Sequence, residues 1–438
     1  MKEHFLSIRN SLQKVLQAGE ILLCSFSGER SDFVRFNHGR VRQAGSVEQG
    51  SLSLRLVRER RQASGSLTLA GNGIDLDNAN GMLARVREAL DGLPEDPWIL
   101  VSETPQSTSS ERRGRLPLPE SVIALVAGGA RGLDFVGFYA GGTVYRGFAN
   151  SLGQENWHEV DSFSFDWSLY READQAVKAG YAGFTWEDAA FERRLESERE
   201  RLARFAVPQR TLSPGEYRAY LAPRALEEIT GLLAWGGFSA RARATRQSPL
   251  LRMQEGATLS PKVSFTENTA EGVAPGFQAD GFVKPQEVKL IVEGKLGDAL
   301  VSPRSAKEYG LDTNAAGGGE APQSLDCAAG TLAEADALAA LGTGLYVSNL
   351  WYLNYSDRAA GRVTGMTRFA TFWVEGGRIV APVSPMRFDD TLYRMLGEKL
   401  VDLTRERELL LDPSTYGERS TASARLPGVL VSGLRFTL

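Results

Sequence analysis

The sequence predicts an α+β fold: an N-terminal antiparallel sheet with helices, followed by a β-rich C-terminal domain. Three observations carry this expectation. Apolar residues recur at helical spacing near the N-terminus and again from Asp75 to Leu90, while the chain between them alternates with a period of two. Beyond Glu216 the chain becomes rich in glycine and in short β-type runs. The composition, 42% hydrophobic and 24% charged over 438 residues, is that of a globular chain and excludes wholesale disorder. A chain of this length suggests about two or three domains, expected at 1–93, 94–207 and 208–438.

The first helix is expected from Lys2 to about Ala18, where Phe5, Leu6, Ile8, Leu12, Val15 and Leu16 share a face and Gly19 supplies a stop. Short strands follow at Glu20–Ser27, Ser31–Asn37 and Arg40–Ala44, the last two joined by a turn at His38-Gly39. The alternation of serine and leucine from Ser51 to Val57 suits a half-buried strand. Met82, Leu83, Val86 and Leu90 then mark a second amphipathic helix. Pro94 to Pro119, rich in Pro, Ser, Thr and Glu, reads as a linker. Val122–Val126 is apolar, Asp134–Asn150 reads as aromatic strand pairs, and Trp186–Phe205 as a solvated helix laced with charges. After a boundary at Pro208–Glu216 come a strand at Tyr217–Ala222, a helix at Pro223–Trp235, and strands at Val288–Glu293 and Tyr346–Tyr355. A hairpin is expected around Gly376-Gly377, a helix from Asp389-Asp390 to about Arg405, and a terminal strand at Gly428–Leu438.

Charge and composition narrow the function. Lys and Arg number 50 against 54 Asp and Glu, a net charge of −4, so no global field draws in nucleic acid or an anionic membrane. No apolar run is long enough for a membrane-spanning helix. Two cysteines cannot build a disulfide framework, and the N-terminal residues do not pattern as a secretion signal, so a cytoplasmic location is expected.

Histidine excludes more. The three histidines are His4, His38 and His158, so no mechanism can use a histidine in the second half of the chain. Cys-x-x-Cys and His-Glu-x-x-His are absent, which leaves a transition metal without ligands, although a carboxylate-only Mg²⁺ or Ca²⁺ site stays open. There is no Gly-x-Ser-x-Gly elbow, and Gly317-Gly318-Gly319 lacks the lysine of a phosphate-binding loop. Cys24 and Cys327 read as buried apolar residues, His38 as a turn residue and His158 as a surface or interface residue. Asp389-Asp390 reads as a helix cap rather than a catalytic pair. No catalytic or metal-binding residue is expected in this chain.

One block remains. From Asn349 to Phe369 the chain concentrates Asn349, Trp351, Tyr352, Tyr355, Arg358, Arg362, Thr364 and Arg368. A strand followed by a polar, arginine-bearing loop suits a peptide or partner surface. The same residues also suit a structural hairpin with an aromatic core face.

These residues also carry a resemblance. Ser31 to Gln43 is similar to the N-terminal block of the TldD/PmbA family. Asn349–Phe369, the run Phe372–Val383, Met386–Asp390 and the segment Pro427–Leu434 resemble its C-terminal signature. That family carries the older name modulator of DNA gyrase and is classed with metallopeptidases. The resemblance implies a two-subunit assembly that cuts unstructured peptides. Its TldD-like subunit holds a metal through His-Glu-x-x-x-His and a C-terminal cysteine, and its PmbA/TldE-like subunit lacks them. Placed without gaps, the motif falls on Gly231-Leu232 and Gly236, and no cysteine follows Cys327. The resemblance therefore implies a non-catalytic PmbA/TldE-like subunit with no cofactor of its own and zinc in a TldD-like partner. Its expected partners are that subunit and an extended peptide substrate, with a homodimer when alone, and neither a membrane nor nucleic acid. The alternative is a stand-alone peptide-binding or gyrase-related regulatory protein without peptidase activity.

Overall fold

The structure is a computed structural model and describes residues 1–172 and 175–437. Residue 438, the last of the expected terminal strand, lies outside the described residues, as do 173 and 174. In chain order the first half contains α1 (Lys2–Gln13), β1 (Ile21–Asn37), β2 (Arg40–Arg58), β3 (Arg61–Thr68), α2 (Ile74–Asp91), β4 (Thr108–Arg112) and α3 (Pro119–Gly129). It continues with β5 (Asp134–Asn150), β6 (Glu155–Glu172), β7 (Gln175–Gly183) and α4 (Asp188–Ala203). The strands form one seven-stranded sheet in the order β3-β2-β1-β5-β6-β4, with β7 also on β6. Because β1 pairs along its length with β5, the segments 1–93 and 94–207 share this sheet.

The alternation of small polar and apolar residues explains the packing of the first sheet. Leu52, Leu54 and Leu56 point to one face and meet Phe5, Ile8 and Leu12 of α1 and Leu83, Val86 and Leu90 of α2. The expected strands 20–27 and 31–37 are one continuous strand, since Gly28 to Arg30 keep their register with β2 and β5. Asp134–Asn150 is likewise one long strand, not a pair. Within the expected linker, Thr108–Arg112 runs parallel to β6. Its side chains are largely exposed, so burial left no alternation to read.

The second half contains β8 (Gly215–Leu221), α5 (Pro223–Ala234), α6 (Ala240–Ala244), α7 (Leu251–Gln254), β9 (Phe265–Asn268), β10 (Glu287–Val292) and β11 (Lys295–Leu296). Next come α8 (Pro303–Tyr309), β12 (Ser324–Cys327), α9 (Ala337–Leu341), β13 (Gly344–Asp357), β14 (Arg362–Glu375) and β15 (Arg378–Pro382). β16 (Arg387–Thr391), β17 (Leu400–Leu411) and β18 (Ser423–Phe436) complete an eleven-stranded sheet. β8 pairs with both β13 and β18, so the path β8-β13-β14-β16-β18 returns to its start. α5 buries Leu226, Ile229 and Leu233 in the apolar core of this half. A second core joins the halves, where Phe165, Trp167 and Phe191 meet Tyr220, Tyr346 and Phe372. None of the described helices is long and apolar enough to cross a membrane.

Three further expectations are corrected. Asp389-Asp390 does not open a helix. Both lie in β16, and the chain after one short π-turn at Arg394–Glu398 is the strand β17. Asp390 is buried and accepts from the Thr391 and Arg435 N–H groups and from Arg394 Nε, so the tertiary partners and not a helix cap satisfy it. The helix at 188–203 is not solvated throughout, because Glu198 lies on its buried stripe with Phe191, Leu195 and Leu202. His158 is not a surface residue. It is buried in β6, where Nδ1 accepts from Ser110 Oγ at 2.8 Å and Nε2 donates to Val273 O at 3.0 Å. Burial pulls its pKa down to about 4, so it stays neutral and ties the first sheet to the second half.

Candidate functional site

The residues singled out on the β13–β14 ladder separate into three places and one buried position. The ladder is irregular near Asn349, between Trp351 and Asn354, and near Tyr355. Tyr352 and Phe369 both take left-handed backbone, at φ 53° and 57°. That conformation costs a non-glycine residue about 1 kcal/mol or more. These breaks turn side chains that a regular ladder would alternate.

At the first place, Trp351 and Tyr352 stack with ring centroids 3.9 Å apart. Arg368 lies over Trp351 at 3.4 Å and near Phe369 at 5.1 Å. Trp351 is 40% exposed and Tyr352 68%, unusual for large aromatic side chains. Trp351, Arg368 and Phe369 line a groove of about 240 Å³ together with Tyr170, Phe205 and Pro385. An aromatic pair with an arginine on one face offers an apolar platform and a donor fork to an extended chain.

At the second place the same residue types are committed to the protein. Arg358 Nε donates to Gln247 O at 2.8 Å and Nη2 to Trp235 O at 2.5 Å. Its guanidinium lies 5.1 Å from both the Trp235 and Tyr355 rings. Tyr355 Oη donates to Leu232 O at 2.9 Å, and burial raises the pKa of the phenol. Both residues thus close the C-terminal end of α5. At the third place Arg362 pairs with Asp389 at 3.1 Å, and Thr364 Oγ1 donates to Phe388 O at 3.0 Å. These bonds lie along the β14–β16 pairing. Asn349 is buried, with Oδ1 lacking a partner.

α5 follows from its sequence. Pro223 sits at its first position with Ala222 extended before it, a favourable start. Ala225, Leu226, Ile229, Thr230 and Leu233 are its buried residues. Gly236, at φ +86°, ends the turn, and a Cβ there would lie 2.6 Å from Arg358 Nη2. Gly231, where the resemblance places the first histidine, faces open space. Leu232 packs against the core. Glycine and leucine side chains hold no ligand atoms, so Gly231, Leu232 and Gly236 do not fit a metal. Among the described residues, no three His, Cys, Asp or Glu side chains gather as a metal-binding group. Cys24 and Cys327 are buried and their thiols are pushed up to about 12, which leaves them poor nucleophiles.

Sequence reasoning missed the charges at the other end of α5. Arg224 Nη1 lies 2.8 Å from Asp166 and its Nε 3.8 Å from Glu408, which also faces Arg194 at 3.6 Å. Burial, opposed by Arg224 and reinforced by Asp166 and Glu408, pushes Glu227 up to about 7. Nothing in the sequence announces this cluster, because its members come from β6, α4, α5 and β17.

The comparisons bear on this geometry. The sequence model of the PmbA/TldA metallopeptidase C-terminal domain matches residues 214–438. No curated protein matches the chain. TldE from Thermococcus kodakarensis superposes with a TM-score of 0.84 at 12% identity, covering 99% of this chain and all of its own. A candidate modulator of DNA gyrase from Thermotoga maritima gives 0.80 at 15% identity, with both chains covered in full. Another from Bacteroides thetaiotaomicron gives 0.76 at 18%, covering 100% of this chain and 98% of its own. The fold is thus shared from end to end, the matched C-terminal domain includes both α5 and the β13–β14 ladder, and the chain belongs to the PmbA/TldD family.

Proposed function

We propose that the chain is the non-catalytic, PmbA/TldE-like subunit of a TldD/TldE-type metalloprotease that acts on unstructured peptides. The chemistry of α5 carries the reading. Where the catalytic subunit needs two histidines and a glutamate, this chain has Gly231 and Leu232 on α5 and Gly236 just beyond its end. Its C-terminal end is closed by Arg358 and Tyr355 instead. The name TldE borne by one fold neighbour is in keeping with this. Zinc belongs to the TldD-like partner. This subunit completes the enclosure and holds an extended substrate, with Trp351, Tyr352 and Arg368 as the exposed contact surface. Strand addition supplies sequence-independent hydrogen bonds to a peptide, and enclosure restricts cleavage to chains flexible enough to enter.

The test is metal content and peptidase activity of the chain alone and mixed with its TldD-like relative. Activity only in a stable mixture, with no metal on the isolated chain, is the expected outcome. Metal-dependent cleavage by the single chain, lost on chelation, would overturn the reading.

A further inference from the structure

A cleft of about 480 Å³ lies between the two halves, away from the β13–β14 surface patch. It is lined by the stacked pair Tyr220 and Tyr346, with ring centroids 5.7 Å apart, and by Ser348. α4 contributes Arg193, Arg194, Glu198 and Arg201, and β7 contributes Lys178. The start of α5, Ala222 to Arg224, and Glu334, Ala335 and Glu408 complete the lining.

Five cations face three carboxylates in this lining. Two of the carboxylates are already engaged. Glu198 accepts from Arg201 at 2.7 Å, and Glu408 lies 3.6 Å from Arg194 and 3.8 Å from Arg224. Lys178 and Arg193 have no ion-pair partner among the described residues. Three of the five cations are engaged as well, Arg201 by Glu198, Arg194 by Glu408, and Arg224 by Glu408 and by Asp166 outside the lining, so the unpaired charge is Lys178 and Arg193 against Glu334, a surplus of one cation that favours an anion.

The backbone adds to this. Pro223 has no N–H, and the Ala225 and Leu226 N–H groups bond to Ala222 O. The Arg224 N–H is left at the positive end of the α5 dipole, and Arg224 is one of the residues that line the cleft. An independent feature points the same way. Ser348 is only 6% exposed, lines the cleft, and its hydroxyl has no hydrogen-bond partner. A buried hydroxyl without a partner is costly, and a ligand oxygen removes that cost. The tyrosine rings, Leu338 and Ile379 supply apolar surface for a side chain. The volume lies within the range of small-ligand sites.

We propose that this cleft binds the free carboxylate end of a short peptide. The carboxylate sits at the start of α5 among Arg224 N–H, Ser348 and the unpaired Lys178 and Arg193, and the terminal side chain lies on Tyr220 and Tyr346. The choice of a peptide rests on the peptide-handling reading above, whereas the preference for an anion rests on the cleft alone.

The experiment is isothermal titration of the full chain with the tripeptide glycyl-leucyl-tyrosine, with its C-terminal amide, and with inorganic phosphate. The free acid is expected to bind at least about tenfold more tightly than the amide, the size of a lost charge-assisted contact. The double variant Lys178→Glu with Arg193→Glu alters only the rim and is expected to lose the acid while melting as the parent does. Ala335→Trp, on an exposed turn, plugs the cleft and is expected to lose it too. Equal binding of acid and amide, binding of phosphate alone, no binding of any probe, or unchanged binding in both variants overturns the proposal. The subunit reading fails separately. Binding without activity in the mixture with the TldD-like relative removes that reading and leaves the cleft, while activity without binding removes only the cleft.

Discussion

The β13–β14 ladder carries two clusters made of the same parts, an arginine against a tryptophan and a tyrosine. Around Arg358 the guanidinium ends on the carbonyls of Trp235 and Gln247, and Tyr355 ends on Leu232. Around Arg368 it lies on the rings of Trp351 and Phe369, and among the described residues it has no hydrogen-bond partner. The first cluster fixes the end of a helix. The second leaves its donors unclaimed by the described residues. The acceptors within reach, and not the residue types, decide which role such a cluster plays.

The sharpest test removes the fixed arginine. Arg358→Ala strips two charge-assisted bonds from the end of α5 and is expected to lower stability by about 2–4 kcal/mol, measured by urea unfolding. A change below about 0.5 kcal/mol erases the distinction between the clusters, since that is the range of ordinary surface substitutions.

The next effect lies at the opposite end of α5. The pKa of Glu227 stands at about 7 in the fold against an ordinary 4.5. A raised folded pKa means that its contribution to stability is complete below pH 4.5 and is lost as the pH rises to about 7. Glu227→Gln is therefore expected to lose less stability than the parent across that window. Parallel stability profiles for the two proteins would show that the cluster does not load this carboxyl.

A smaller stability effect is expected for the open cluster. Arg368→Ala changes the unfolding free energy by less than about 1 kcal/mol, the scale of an exposed cation–π contact. Its consequence appears in binding of a TldD-like subunit or extended peptide, which weakens several-fold in a pull-down or titration. Stability lost with binding intact reverses the assignment of the two clusters.

The smallest expected effect is none. The end of α5 is closed by the bonds of Arg358 and Tyr355 to backbone carbonyls, so EDTA and added zinc are expected to leave the melting temperature of the isolated chain unchanged. A shift with either reagent would show that the isolated chain carries a metal and would overturn the assignment of zinc to the partner.

Much of the architecture was legible because burial leaves a period. Leu52, Leu54 and Leu56 announced a half-buried strand, Leu83, Val86 and Leu90 a helix, and Gly376-Gly377 a hairpin turn, with φ of +54° and +76° in the structure. The misses lie where distant partners override local signals. Asp389-Asp390 carried a cap signature, but Arg394 and Arg435 hold Asp390 within a strand. Thr108–Arg112 runs beside β6 with largely exposed side chains, so it leaves no apolar period. The ladder block was legible as a composition of aromatics and arginines. Its division was not, because the acceptors that claim Arg358 lie more than a hundred residues away in the chain.

The closed strand path of the second half sets an order of assembly. β18 is a neighbour of β8, β12, β16 and β17, and Val429 meets Leu221 across some two hundred residues of chain. The first sheet has all its strands once Gly183 is synthesised. β8 gains its first strand partner only with β13 and its second only with β18, with its apolar side chains less shielded in the meantime, and non-local pairings of this kind form slowly. During synthesis the first half can therefore serve as the surface on which the second condenses, through the core that Tyr220 and Tyr346 share with Trp167 and Phe191.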